Sequence, residues 1–153
     1  MLNRRLFVLA ALGSFVSGNA SAQAVEGKFR GMYVCEKLPT TRNTLRAPLD
    51  LEVKGESAHF ARPLYNLDGS RVVGNELASG TVDASGRLHL TSRWSYLGNT
   101  SNAEYSGTLT PTGGTLMGTQ TWTGPGGGEP VRRTCTVAVV PANAKSPSPS
   151  QHP

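Results

Sequence analysis

The chain has 153 residues, with 18 Gly, 10 Pro and only 16% charged side chains. That length suits one domain, and Gly well above the usual roughly 7% disfavours a helical protein, which would spend those positions on Ala, Leu, Glu and Lys. The formal charge is +5. The basic residues Lys28, Arg42, Arg62, Arg87 and Arg132 are scattered and never form a run longer than two. A nucleic-acid partner would want a basic face interleaved with aromatics, so none is expected.

Residues 1–24 read as a signal peptide. Arg4 and Arg5 form a basic start, Leu6 to Val16 is an apolar stretch too short to span a bilayer, and small residues around Ala20, Ala22 and Ala24 suit cleavage. Removing the leader leaves 13 basic against 10 acidic residues, a charge of about +3. Asn3-Arg4-Arg5-Leu6-Phe7 resembles the twin-arginine export motif, and a general secretory leader is the plainer alternative. A periplasmic or secreted location follows from either route. No second apolar stretch is long enough to anchor the chain, so no membrane span is expected.

Cys35 and Cys135 are the only cysteines. In an oxidising compartment an even pair reads as one disulfide. A redox site would favour Cys-x-x-Cys, and zinc would want four ligands, so no metal is expected here.

The elements follow in chain order. Lys28–Cys35 alternates, with Phe29, Gly31, Tyr33 and Cys35 on one face. Leu49, Leu51 and Val53 alternate with Asp50, Glu52 and Lys54, the period of a half-buried strand. Ala58–Leu64 follows, then a turn signal at Asn66–Gly69. An internal repeat comes next. Gly80-Thr81-Val82 and Leu88-x-x-Thr91-x-x-Trp94 match Gly107-Thr108-Leu109 and Leu116-x-x-Thr119-x-x-Trp122, each copy a β-hairpin. The two tryptophans should therefore sit at equivalent places near one rim. Gly80, Gly107 and Gly118 are read as room beside bulky rings. Gly98–Asn102 is read as a long polar loop extending from that rim. Gly124–Gly128 is a loop without the helix or Lys-Ser/Thr of a phosphate cradle. Val131–Val140 is the last strand, and residues 142–153 form a Pro- and Ser-rich tail expected to be disordered.

About eight strands with short links predict an all-β domain over residues 25–141. A cysteine bridge between first and last strands favours closure into an antiparallel up-and-down barrel, which removes exposed edges; a two-sheet sandwich is the alternative. The strand rhythm of residues 28–140 resembles that of lipocalins and avidins in architecture. Lipocalins carry Gly-x-Trp on the first strand, where this chain has Gly27-Lys28-Phe29, so the tryptophan is missing. The resemblance implies that Arg133 packs on Phe29 or Tyr33 as a cation over a ring.

No nucleophile elbow, His-Glu-x-x-His or Ser-x-x-Lys occurs, so neither catalysis nor a cofactor is expected. His59 and His89 alternate with apolar residues and should face solvent; an acid–base or metal set with Glu76 or Glu104 is the competing expectation. The better-supported expectation is a binding barrel for a small ligand or a protein partner. Trp94, Trp122, Tyr96 and Tyr105 would line its mouth, with Arg133, Gln120 and Ser92 as polar contacts. The same aromatics are also what a small barrel needs to fill its interior. A periplasmic enzyme inhibitor or an envelope-associated structural protein is the third reading. A positive charge opposes a basic lysozyme target, and Tyr105-Ser106-Gly107 carries the letters of the Ser-Gly-x-x-Tyr inhibitor loop in another order. A protease inhibitor inserting residues 23–28 belongs to the same class.

Overall fold

In the computed structural model, the described residues are 25–38, 44–65 and 70–144; the proposed leader, the turn at Asn66–Gly69 and the tail beyond Ala144 lie outside them. The eight strands are β1 (Gly27–Cys35), β2 (Leu45–Lys54), β3 (Ser57–Tyr65), β4 (Val72–Val82), β5 (Arg87–Tyr96), β6 (Asn99–Thr110), β7 (Gly113–Thr123) and β8 (Val131–Pro141). Each pairs antiparallel with the next, and β8 pairs with β1, so the sheet closes as an up-and-down barrel. The sandwich alternative is thereby set aside.

The alternation read in the sequence is what closes the core. Inward positions on successive strands meet round the barrel: Phe29 faces Leu51, Leu51 faces Phe60, Phe60 faces Ala78 and Ala78 faces Ser92. Each of Leu49, Leu51, Leu88, Leu90, Leu109 and Leu116 is buried there. Full burial of such a side chain contributes roughly 1.5–3 kcal/mol. A one-residue slip of any strand would turn this set to solvent, so the register is strongly specified.

Closure is secured where β1 meets β8. Cys35 and Cys135 are direct cross-strand partners and form a disulfide across 100 residues of sequence. At the other end of the same seam, Ala142 N–H donates to Lys28 O (2.8 Å) and an Arg30 guanidinium N–H to Ala144 O (2.8 Å). The first residues of the predicted tail are thus tied to β1.

The repeat glycines act differently from the expectation. Only Gly118 makes room for a ring, that of Tyr105; side chains at Gly80 and Gly107 would strike the neighbouring backbone at His89 and Thr115. They allow close strand approach rather than ring packing. The turn between β4 and β5 is held by Asp83, whose carboxylate accepts from Ser85 N–H, Ser85 Oγ, Arg87 N–H and Arg87 Nε. These bonds, chiefly those from Ser85 and then Arg87, hold its carboxyl well below the usual range.

The predicted loop at Gly98–Asn102 is corrected. β5 and β6 continue to Tyr96 and Asn99, leaving only Leu97 and Gly98 between them, and Asn99–Asn102 pair with Tyr96–Arg93. Both turn residues take positive φ, 48° at Leu97 and 76° at Gly98, the backbone of a tight two-residue hairpin. Polar composition masked the strand because Thr100 and Asn102 face outward while Ser101 faces in.

Candidate functional site

The barrel interior has two unlike halves. Toward the turns at Gly55, Asp83–Gly86 and Pro111-Thr112 it is apolar, filled by Phe29, Val53, Ala58, Val82, Leu88, Leu109 and Val139, with Val25 packed into the same cluster. Toward the opposite end the inward positions become polar. The buried polar side chains among the described residues are Arg62, Glu76, Ser92, Ser101, Gln120 and Arg133. They come from six different strands, and each continues the inward parity of an otherwise apolar face. Side chains with such costly desolvation require partners.

Glu76 is the hub of that half. It is fully buried and forms an ion pair with Arg62, itself only 1% exposed. Its Oε1 accepts hydrogen bonds from Ser92 Oγ and from Tyr105 OH (2.8 Å). Tyr105 OH lies 3.0 Å from Tyr33 OH, and Tyr33 OH reaches the disulfide sulfur of Cys135 at 3.1 Å. The Arg62 guanidinium also stacks 4.1 Å above the Tyr33 ring. Tyr33, Phe60 and Tyr105 pack on one another edgewise or tilted, separating this network from the apolar half. Burial, reinforced by the Glu76 carboxylate, pushes the Tyr33 phenol above its ordinary range. Burial, then the neighbouring Tyr33 and Glu76, does the same to Tyr105.

The second part of the polar half is less complete. Gln120 on β7 and Arg133 on β8 are cross-strand partners, and Arg133 Nε donates to Gln120 Oε1 at 2.7 Å. Desolvation lowers the Arg133 pKa, the direction expected for a buried cation with a neutral hydrogen-bond partner. Gln120 Nε2 is buried and has no hydrogen-bond partner, and neither have Ser101 Oγ and Trp94 Nε1. Unpaired buried groups of this kind are rare and each costs about 1–3 kcal/mol.

Trp94 and Trp122 lie one position nearer the rim. Both are cross-strand partners of Ser101, one from each side, and their rings meet edge to face with centroids 4.7 Å apart. Both rings are half-buried, whereas Ser101 beneath them has no exposed surface. Tyr96 is half-buried at the same end of β5.

Of the site residues proposed from sequence, Ser92 is bound to Glu76, and the other six divide into four groups. Trp94 with Trp122, and Gln120 with Arg133, are brought together, and Tyr96 stays at the rim. Tyr105 lies deeper and is engaged with Glu76. Arg133 does not stack on Phe29 or Tyr33 as the lipocalin resemblance implied; the cation over Tyr33 is Arg62, and Arg133 is bound to Gln120 instead. Sequence reasoning missed Arg62, Glu76 in its role as hub, and Ser101. Parity was the available signal, since Arg62 follows Ala58 and Phe60 on the inward face, and Glu76 precedes Ala78 and Val82.

The competing set of histidines and carboxylates is not assembled. His59 and His89 face outward, His59 near Glu52 at 3.6 Å and His89 near Ser106 at 3.0 Å, while Glu76 is enclosed on the other side of the wall. No group of three or more His, Cys, Asp or Glu gathers among the described residues. No helix among them is long and apolar enough to cross a membrane. Comparison with protein-family models, with curated proteins and with solved structures finds no match.

Proposed function

We propose that this chain is an exported, non-catalytic barrel that binds a small ligand at its polar end, beneath Trp94 and Trp122. The observation that carries this reading is the set of unpaired buried groups at Gln120, Ser101 and Trp94, gathered on adjacent strands under two aromatic rings. A barrel built only for stability gains nothing from leaving them unpaired, whereas a ligand would complete their hydrogen bonds. The apolar half then serves as the rigid base on which the site is held. Export is supported by the disulfide, which suits an oxidising compartment, and by the leader-like start of the sequence.

Native mass spectrometry of the full chain, purified without denaturation from cells that express it, tests the reading. Bound protein is expected to carry extra mass that leaves on unfolding. A chain that flies only at its own mass, with the Trp94 indole unmoved by small-molecule extract from those cells, would overturn it.

A further inference from the structure

The chemistry of the missing ligand follows from what the polar half already uses. Glu76 is already engaged: Oε1 takes Ser92 and Tyr105, and Oε2 is paired with Arg62 Nη2 as an ion pair, with no further hydrogen bond. Outside that pair, the unsatisfied buried atoms are Arg62 Nε, Trp94 Nε1, Gln120 Nε2 and Ser101 Oγ. The first three can only donate, and the fourth is a hydroxyl able to do so. The buried charges are Arg62 and Arg133 against Glu76 alone, an excess of one positive charge among the described residues. With Arg62 taken by Glu76, that excess belongs to Arg133, which donates to the neutral Gln120 carbonyl. A buried cation is ordinarily matched by an anion.

Resting on the ligand-binding reading above, we infer that the occupant is a small monocarboxylate with an apolar body. Its carboxylate accepts from Arg133 and from the free amide of Gln120, and its body lies toward Trp94 and Trp122. One excess buried cation matches one negative charge, which favours a carboxylate over a dianionic phosphate. Ser101 and Ala103, the inward residues of β6 at this level, are short, and the Trp94 and Trp122 rings meet across Ser101. Ser101, between the two ring-bearing strands, has no exposed surface, so the ring pair parts to admit the ligand.

The test uses the full, disulfide-bonded chain labelled with nitrogen-15. It is titrated with acetate, 3-phenylpropionate and decanoate, and with the neutral amide of each. Expected is a shift of the Gln120 side-chain and Trp94 indole N–H signals by at least one of the larger carboxylates. Its affinity should be at least about tenfold above that of its amide, as a charge-assisted pair requires. Arg133→Gln should abolish that preference. Should that variant not fold, the unaltered protein still decides the matter, because affinity must fall as the ligand carboxylate is protonated at acid pH. Equal binding of acid and amide would overturn the monocarboxylate and leave the site standing. Failure of all six probes to move those two signals would overturn the site as well.

Discussion

Trp94 on β5 and Trp122 on β7 touch although a whole strand separates them, because the residue of β6 that lies between them is Ser101. The contact thus depends on a short side chain in the middle of a sheet, and it lies at the polar end of the barrel beside buried groups that have no hydrogen-bond partner. Two such rings, held edge to face, should give a coupled circular-dichroism band from the indoles. Replacing either Trp by Phe is expected to remove that band while the β spectrum stays. Ser101→Leu should force the rings apart, remove the same band and cost about 1–3 kcal/mol, the usual range for overpacking. Persistence of the band in Ser101→Leu would show that the contact does not depend on Ser101.

The Arg62–Glu76 pair should behave as a buried ion pair. Glu76→Gln leaves the Arg62 charge unmatched and is expected to lower unfolding free energy by about 3–5 kcal/mol. The double variant Arg62→Met, Glu76→Leu should cost less than Glu76→Gln alone, since it removes both charges and replaces them with apolar volume. Chemical denaturation of the three proteins measures the difference. A double variant worse than the single would mean that the hydrogen bonds from Ser92 and Tyr105 to Glu76, rather than its charge pairing, dominate.

Removal of the Cys35–Cys135 bridge is expected to destabilise without unfolding the native barrel. In the chain-entropy picture a loop of this length is worth up to about 4.7 kcal/mol, with 2–5 kcal/mol typical for small exported domains. The β1–β8 ladder and the ties from Ala142 and Arg30 remain to hold the seam. The double Cys→Ala protein should therefore show the native pattern of amide protection with a lowered denaturation midpoint. Selective loss of protection along β1 and β8 at equal stability would instead mean that the bridge alone closes the sheet.

Tyr33 and Tyr105 are expected to make the barrel alkali-sensitive. Both phenols are raised above the ordinary value of about 10 by burial, so the fold favours their neutral forms. Their contribution is complete below pH about 10 and is lost as pH rises from there toward the folded values. Stability measured by denaturant should fall above pH about 10, and the phenolate absorbance of these two residues should appear only together with unfolding. Tyr105→Phe and Tyr33→Phe should each reduce the steepness of that fall. Early phenolate absorbance from both residues in a folded protein would contradict the buried network.

Much of the architecture was legible because burial follows parity. Leu49-x-Leu51-x-Val53 and Val131-x-Arg133-x-Cys135-x-Val137 could be assigned inward faces without any structure. The matched Leu88–Trp94 and Leu116–Trp122 segments placed both tryptophans at one rim. The same rule pointed Arg62 and Glu76 inward, and composition argued the other way, since lone charges belong outside. Their mutual neutralisation is a relation between β3 and β4 that no single-strand pattern contains. Ser101 was misplaced for a local reason: Gly98-Asn99-Thr100-Ser101-Asn102 has the residues of a loop, but pairing with both β5 and β7 holds most of it extended. Arg133 was given the wrong partner, because analogy supplied Tyr33 where cross-strand register supplies Gln120.

The most direct test of a ligand site under the tryptophan pair is a nitrogen-15 spectrum of refolded, ligand-free protein. It is recorded before and after adding a small-molecule filtrate of the cells that express it. The account predicts that the Gln120 side-chain amide and the Trp94 indole N–H shift, while backbone signals around Phe29 and Leu109 in the apolar half stay in place. Unmoved signals at Gln120 and Trp94, or shifts confined to the outer wall, would contradict it.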